Sequence, residues 1–251
     1  MSDSRILASR RIAVKERRLR VLRIGAALWF ALLPAAAAQT VAHPPQAAIA
    51  AAHPLATAAG HEILKRGGNA FDAAVAVAAA LAVVEPYASG LGGGGLWLLH
   101  RAADGHQVMV DARETAPARV KPELYIDSSG KPIRGATTQG GTAAAIPGAP
   151  AALVHVAGRY GALPLAASFA PAVRHARNGF PVDERYARLA GLRERLLRRN
   201  PDASRVFLDG DRAPPAGWLL RQPELAETLE AIVGSRFEIA VDNAVVELAF
   251  K

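Results

Sequence analysis

Residues 85–100 read EPYASGLGGGGLWLLH and place five glycines within six positions, directly before a run of bulky apolar side chains. Three of these glycines fit the dinucleotide-binding pattern G-x-G-x-x-G. That pattern holds a cofactor only where it follows a strand and opens a helix, because the pyrophosphate sits on the helix N-terminus. The segments on either side of the glycines therefore decide what this loop does.

The segments before the glycines are predicted to be two helices. Residues 53–68, HPLATAAGHEILKRGG, have Pro54 at a position where a first helical residue is tolerated, apolar residues on one side and a Gly-Gly stop. Asn69 can cap the next segment, residues 70–85, with Asp72 near the positive end of the helix dipole. Because this second segment is apolar on all sides, we expect a buried helix.

The segment after the glycines is predicted to be a β-hairpin. Residues 96–112, LWLLHRAADGHQVMVDA, read as two strands joined at Asp104-Gly105. The order helix, glycines, strand is the reverse of a dinucleotide site, and no Gly-Lys-Ser/Thr P-loop is present, so we predict no cofactor. We predict instead a structural glycine loop that passes close to a neighbouring element or takes positive φ, formed by Gly90, Gly92, Gly93, Gly94 and Gly95.

Arg113 follows the hairpin, in the sequence DARETAP of residues 111–117. A cation fixed where a strand ends at a cleft suits an anionic ligand, and the planar guanidinium matches a carboxylate. The alternative is a structural ion pair with Glu114 or Asp111. Sequence spacing leaves both interpretations open.

The basic charge of the chain is concentrated at its N-terminus. Residues 1–38 carry eight Lys/Arg and two Asp/Glu, so they account for +6 of the formal +8. The remaining residues, 39–251, are close to neutral for their length. This distribution argues against nucleic-acid binding, which needs a basic surface on the folded part.

The same N-terminal residues are typical of an export signal. A basic stretch precedes the apolar run IGAALWFALL, and Ala36-Ala37-Ala38 supplies a cleavage site before Gln39. We expect a periplasmic or secreted protein with no stable membrane span after cleavage; an uncleaved anchor and, through Arg10-Arg11, twin-arginine export are the alternatives. With no cysteine, the chain has neither disulfides nor thiol chemistry.

Neither the histidines nor a basic segment after Asp183 is predicted to form a site. The seven histidines include no H-E-x-x-H and no helical pair with a carboxylate, so we predict no metal site; they stand at positions 43, 53, 61, 100, 106, 155 and 175. After Asp183, the basic segment ending in LRERLLRRN has apolar residues at helical spacing, namely Tyr186, Leu189, Leu192 and Leu196. Its arginines are expected to form a solvated face.

Several segments together resemble the large subunit of gamma-glutamyltransferases. The most specific are G-G-N-A-x-D-A-A at 67–74 and S-G-x-G-G-G-G at 89–95, followed by DARETAP. The segments AAIPGAPAALVHVAGRYGALP, APAVRHARNGFPV and LRQPELAETLEAI continue the match in order, from residue 47 to about residue 233. The resemblance divides the chain into a signal peptide at 1–38, a large-subunit-like region at 39–234 and a divergent tail at 235–251.

The resemblance implies an N-terminal nucleophile hydrolase, an α/β protein built as an αββα sandwich and made as one precursor that cuts itself into two subunits. Its substrates would be glutathione and related γ-glutamyl compounds, and its partner would be the small subunit. The new N-terminal threonine of that small subunit would attack the γ-amide carbonyl, and its own α-amino group could act as the base. The arginine of R-E-T-A-P, here Arg113, would hold the substrate α-carboxylate.

The sequence departs from the family pattern in two respects. It contains no T-T-H-x-S-V-x-D stretch, and the pair Thr137-Thr138 continues as a large-subunit segment, so no catalytic residue is assigned and the sandwich is expected to be incomplete. After Gly234 the residues no longer follow the family. Two hypotheses result: a large-subunit part that is catalytic only with the missing portion, or a non-catalytic product, either a degenerate fragment or a binding subunit.

Overall fold

The computed structural model describes residues 47–234 and the backbone of residues 246–250. The predicted signal segment lies outside the described residues, and so does most of the predicted C-terminal tail. Within the described part of the chain, no helix combines the length and the apolar character needed to cross a membrane.

The described residues form seven α-helices, five short strands and two short 3₁₀ helices. The helices are α1 (Pro54–Lys65), α2 (Ala70–Val84), α3 (Ala149–Tyr160), α4 (Leu165–Asn178), α5 (Glu184–Leu197), α6 (Pro201–Phe207) and α7 (Pro223–Gly234). The strands are β1 (Gly95–Arg101), β2 (His106–Ala112), β3 (Phe180–Pro181), β4 (Leu219–Leu220) and β5 (Val246–Phe250). Two short 3₁₀ helices, Pro122–Tyr125 and Gly141–Ala143, lie between β2 and α3.

Both predicted N-terminal helices are confirmed. Helix α1 begins at Pro54, and the His53 side chain caps it by accepting a hydrogen bond from the Leu55 N–H over 3.1 Å. Helix α2 begins with a complete capping box, in which the Asn69 side chain accepts from the backbone and Asp72 accepts from the Asn69 N–H. Most of α2 is buried, as its uniformly apolar sequence predicts.

Asp72 is a buried acid whose carboxylate is satisfied by backbone hydrogen bonds. Its carboxylate is fully buried and accepts the N–H groups of Ala162 at 2.9 Å and Leu163 at 3.3 Å. The Asn69 amide donates to the Tyr160 carbonyl over 2.7 Å. The start of α2 is therefore hydrogen-bonded to the end of α3 and to the residues that follow it, which fixes the position of α3.

The predicted hairpin is confirmed, and it belongs to a three-stranded antiparallel sheet of order β1-β2-β5. Gly105 takes φ +71° in the turn, a conformation that favours glycine. On its other edge, β2 pairs with β5, where Val108 lies opposite Ala249. Strand β2 is therefore central in this sheet, and its second edge is occupied by residues 246–250.

The two faces of this sheet differ in burial. Leu99, Val108 and Val110 face inward and join a core with α2, α3 and α4. On the outer face, Leu96 is 60% exposed and Leu98 is 75% exposed. A sheet with helices on one face forms half of an αββα sandwich, as the fold prediction expects.

Candidate functional site

Arg113 lies immediately after β2, at the point where the chain leaves the sheet. Its backbone N–H donates to Asp111 Oδ1 over 2.9 Å, which turns the chain at the end of the strand. Its side chain is 65% exposed. The predicted position of Arg113, directly after the hairpin, is therefore confirmed.

Two glycines from separate segments flank the backbone that carries Arg113. A Cβ on Gly94 would collide with the Ala112 carbonyl oxygen and approach the Arg113 Cα to 3.0 Å. A Cβ on Gly148 would collide with the same carbonyl oxygen from a second segment. Both positions must lack a side chain, because the backbones are in direct contact there.

Backbone hydrogen bonds join the same three segments. The Ala149 N–H, at the start of α3, donates to the Gly93 carbonyl over 3.0 Å. Thr115 and Ile146 exchange hydrogen bonds of 3.2 and 2.9 Å, which close the long, largely exposed segment between β2 and α3 at its base. The position of Arg113 is therefore set by the glycine loop, by β2 and by the start of α3.

The glycines of the loop differ in what they contact. None of the five takes positive φ, and a Cβ would be blocked by backbone only at Gly94. Gly92 and Gly95 have open space where a side chain would lie. The structure thus displays a close approach at Gly94, while a structural role for Gly90, Gly92, Gly93 and Gly95 stays a prediction.

Glu114 is the charged neighbour of Arg113. Its Oε2 lies 3.3 Å from Arg113 Nε, so the two side chains form an ion pair. This oxygen is buried, yet the pair lacks the geometry of a hydrogen bond and no described residue donates one to it. A buried carboxylate oxygen without a donor is unusual, because desolvation is costly when no hydrogen bond replaces water.

Arg113, Glu114 and the glycine loop share one cleft of about 650 Å³. Its apolar wall comes from the last turns of α2, from Trp97 and from Leu153 of α3. A cleft of this size with an apolar wall and a few charged groups is typical of a small-molecule site.

The cleft contains few groups that could act as a nucleophile with its base. Of the described residues that line it, Ser89 is the one with a hydroxyl, and none is a histidine or lysine. Thr137 and Thr138 lie on the exposed segment after β2, where the Thr138 hydroxyl donates to the Gly135 carbonyl over 3.4 Å. Among the described residues, no three His, Asp or Glu side chains group together as metal ligands would.

Comparison with solved structures identifies the class of fold. A crystal structure of Helicobacter pylori gamma-glutamyltranspeptidase superposes with a TM-score of 0.71 at 33% identity, covering 75% of this chain and 55% of that one. The fold is therefore that of an N-terminal nucleophile hydrolase. The Gamma-glutamyltranspeptidase family matches residues 56–238, and the chain belongs to that family.

Two curated relatives show how much of the family's length is present. The Glutathione hydrolase proenzyme of Bacillus subtilis is 37% identical over 187 residues, which are 73% of this chain and 31% of that protein. The Acylase ACY 1 proenzyme of a Pseudomonas strain is 39% identical, over 72% of this chain and 33% of its own length. The chain thus spans about a third of the length of the curated relatives that it matches.

Two features of the site were missed by sequence reasoning. Gly148 was not singled out in the sequence, although its contact with Ala112 is as close as that of Gly94. Glu114 was considered only as an ion-pair partner, whereas its buried Oε2 is an acceptor that no described residue uses. The sequence signal for the close contact at Gly148 was a glycine directly before Ala149-Pro150, where a helix begins.

Proposed function

We propose that this chain is the large-subunit portion of a gamma-glutamyltransferase and that Arg113 binds the α-carboxylate of the γ-glutamyl group of glutathione and related compounds. One observation carries the proposal. A mostly exposed guanidinium, on backbone held between Gly94 and Gly148, lies on the wall of a cleft of about 650 Å³. Family membership supplies the substrate class.

The chemistry of Arg113 favours binding over rate acceleration. A planar guanidinium can donate two parallel hydrogen bonds to a carboxylate, a charge-assisted contact worth about 1.5–3 kcal/mol. The α-carboxylate keeps its charge throughout acyl transfer. Arg113 therefore stabilises the ground state and the transition state equally, which lowers KM and leaves kcat unchanged.

Glu114 supplies the complementary charge. Its side chain lines the same cleft and is 27% exposed, and the ammonium group of an α-amino acid can donate to its carboxylate. Arg113 and Glu114 side by side can thus accept both charges of an amino-acid end. A γ-glutamyl compound presents this zwitterionic end, and the scissile amide lies at the far end of its side chain.

The nucleophile in this proposal is the N-terminal threonine of a small subunit. That threonine attacks the γ-amide carbonyl, its α-amino group takes the proton, and the amine leaves as the γ-glutamyl-enzyme forms. Water or an acceptor amine then resolves the intermediate. The described cleft supports this division of labour, because Ser89 has no imidazole or amine base beside it.

A second candidate function is a non-catalytic binding subunit. The ion pair between Arg113 and Glu114 favours it, because a guanidinium that is already paired has less need of a ligand. The two functions differ in one measurable respect. A catalytic subunit should release product from a γ-glutamyl substrate when a small subunit is supplied, and a binding subunit should not.

The test is therefore reconstitution with a small subunit of the family. The purified chain alone should neither cleave itself nor release 4-nitroaniline from γ-glutamyl-4-nitroanilide, and the assembled pair should release it. The small subunit alone is the control. Stable assembly without turnover would favour the binding subunit, and turnover by the chain alone, abolished by Thr137→Ala, Thr138→Ala or Ser89→Ala, would contradict the division of labour.

Export to the periplasm or the medium belongs to the same proposal. The basic, apolar and A-x-A order of residues 1–38 is its support. Mass spectrometry of the exported protein should find Gln39 at the N-terminus. Exported material that still begins at Met1 would indicate an anchored protein instead.

A further inference from the structure

Helix α5 carries a row of leucines that is half-buried at Leu189 and exposed at Leu192 and Leu196. Leu189, Leu192 and Leu196 are spaced three and four residues apart, so they share one side of the helix. Nearer the start of α5, Tyr186 and Ala190 are buried. Leu192, however, is 75% exposed and Leu196 is 41% exposed. Exposed apolar residues in a continuous row mark interaction surfaces.

Leu189 and Leu192 of this row line a second cleft, of about 380 Å³, together with Arg193. Tyr87, Tyr186 and Phe207 line it beside the leucines. The tyrosine hydroxyls are already bonded, Tyr87 to Glu85 Oε1 at 3.1 Å and Tyr186 to the Phe207 carbonyl at 3.0 Å. The cleft therefore offers apolar surface and suits apolar side chains.

The charge around the leucine row is strongly positive. Residues 184–199 contain six arginines and two glutamates. Glu194 is already engaged, because it accepts the Ala213 N–H over 3.0 Å and lies 3.8 Å from Arg198. By contrast, no residue in the described part of the chain forms an ion pair with Arg188, Arg193 or Arg195. Arg188 and Arg195 precede and follow Leu192 by one helical turn, and Arg193 flanks the other side of the row.

We propose that the leucine row and its cleft dock an acidic amphipathic helix of a partner polypeptide. The apolar face of such a helix would cover Leu192 and Leu196 and insert a side chain between Tyr87 and Phe207. Its flanking carboxylates would pair with Arg188, Arg193 and Arg195. This is helix-in-groove recognition, in which apolar anchors provide affinity and charges provide orientation.

Charge and shape favour this occupant over others. A second copy of the chain would present the same arginines, and residues 1–38 carry a net +6, so both would be repelled. An anionic membrane would attract the arginines, but a flat lipid surface does not fill a concave cleft of about 380 Å³. The earlier interpretation of the arginines as a merely solvated face does not account for the exposed leucines between them.

The test uses the full chain and a dye-labelled designed helix with leucines on one face and glutamates beside them. Fluorescence anisotropy should show saturable binding that weakens with added salt. Leu192→Glu should lower the affinity by about tenfold or more, because an apolar contact is lost and a like charge is added. Leu124→Glu is the control, since Leu124 is also exposed, at 46%, and lies outside both the leucine row and the sheet, so it should leave binding unchanged.

A charge exchange separates specific docking from general adhesion. A peptide with lysines in place of the glutamates should not bind the natural chain and should bind an Arg188→Glu/Arg195→Glu variant. Circular dichroism melts establish that the variants fold. If Leu192→Glu does not fold, Arg193→Glu provides the second test.

Four outcomes would overturn the proposal. They are absence of peptide binding, equal binding of the lysine peptide, binding to phosphatidylglycerol vesicles that Leu192→Glu abolishes, and self-association that the same substitution abolishes.

Discussion

His53 shows how a single residue couples the start of a helix to pH. Its ring is buried, and its Nδ1 must be unprotonated to accept the Leu55 N–H that caps α1. Burial lowers the pKa of His53 below its ordinary value, although Asp183 and Glu85 oppose the shift. Because the unfolded chain then takes up a proton at a higher pH than the folded chain, stability falls as pH decreases through about 6.5.

We therefore predict that the melting temperature decreases from about pH 7.5 to about pH 5.5 and that His53→Asn makes this dependence shallower. Asparagine keeps a capping acceptor but does not titrate. Burial also lowers the pKa of His175, so part of the dependence should remain. His100→Asn, at an exposed position, is the control, and an unchanged slope in His53→Asn would refute the assignment.

At single residues, the sequence predicted the features that depend on neighbouring residues in the chain. It did not predict the features that depend on contacts between distant segments. Arg113 was located from the hairpin that precedes it. Gly148 was missed because its need for no side chain arises from Ala112, which is far away in the sequence. The exposure of Leu192 was missed for the same reason, because helical spacing predicts an apolar face but does not reveal whether another element covers it.

At the scale of elements, caps and periodicity determined α1, α2 and the hairpin. Pro54, Asn69 and the Asp104-Gly105 turn act locally, so their sequence signals are reliable. The pairing of β2 with β5 was not predicted, because it joins a hairpin to a segment more than a hundred residues later. Such pairings depend on the whole fold and leave no local signature.

The link between α2 and α3 yields a stability prediction. Asp72→Asn replaces one carboxylate oxygen with an NH₂ group. This donor would face a backbone N–H of Asn69, Ala162 or Leu163, which then loses its acceptor. We expect a loss of about 2–4 kcal/mol in the free energy of unfolding, measured by urea denaturation. Asp202→Asn is the control because that carboxylate is 89% exposed. Equal stability of the two variants would mean that Asp72 does not hold α3.

At the scale of the whole molecule, the outer face of the sheet has no described layer over it. Leu96 and Leu98 are exposed on the same face of β1, and β1 is an edge strand of the sheet that the described residues form. We predict that the purified chain self-associates and that Leu96→Glu/Leu98→Glu reduces the association, as measured by sedimentation velocity. Leu124→Glu, at an exposed position outside the sheet, is the control. A monodisperse monomer with a sharp cooperative melt would contradict this prediction.

The central claim is that Arg113 binds the α-carboxylate of a γ-glutamyl substrate. The most direct measurement is steady-state kinetics of Arg113→Lys in the enzyme reconstituted with a small subunit. Lysine keeps the charge but loses the planar fork, so KM should rise by about tenfold or more while kcat stays within about twofold. Arg119→Lys, at an exposed position, should change neither. A fall in kcat at constant KM, or no effect in Arg113→Lys, would contradict the claim.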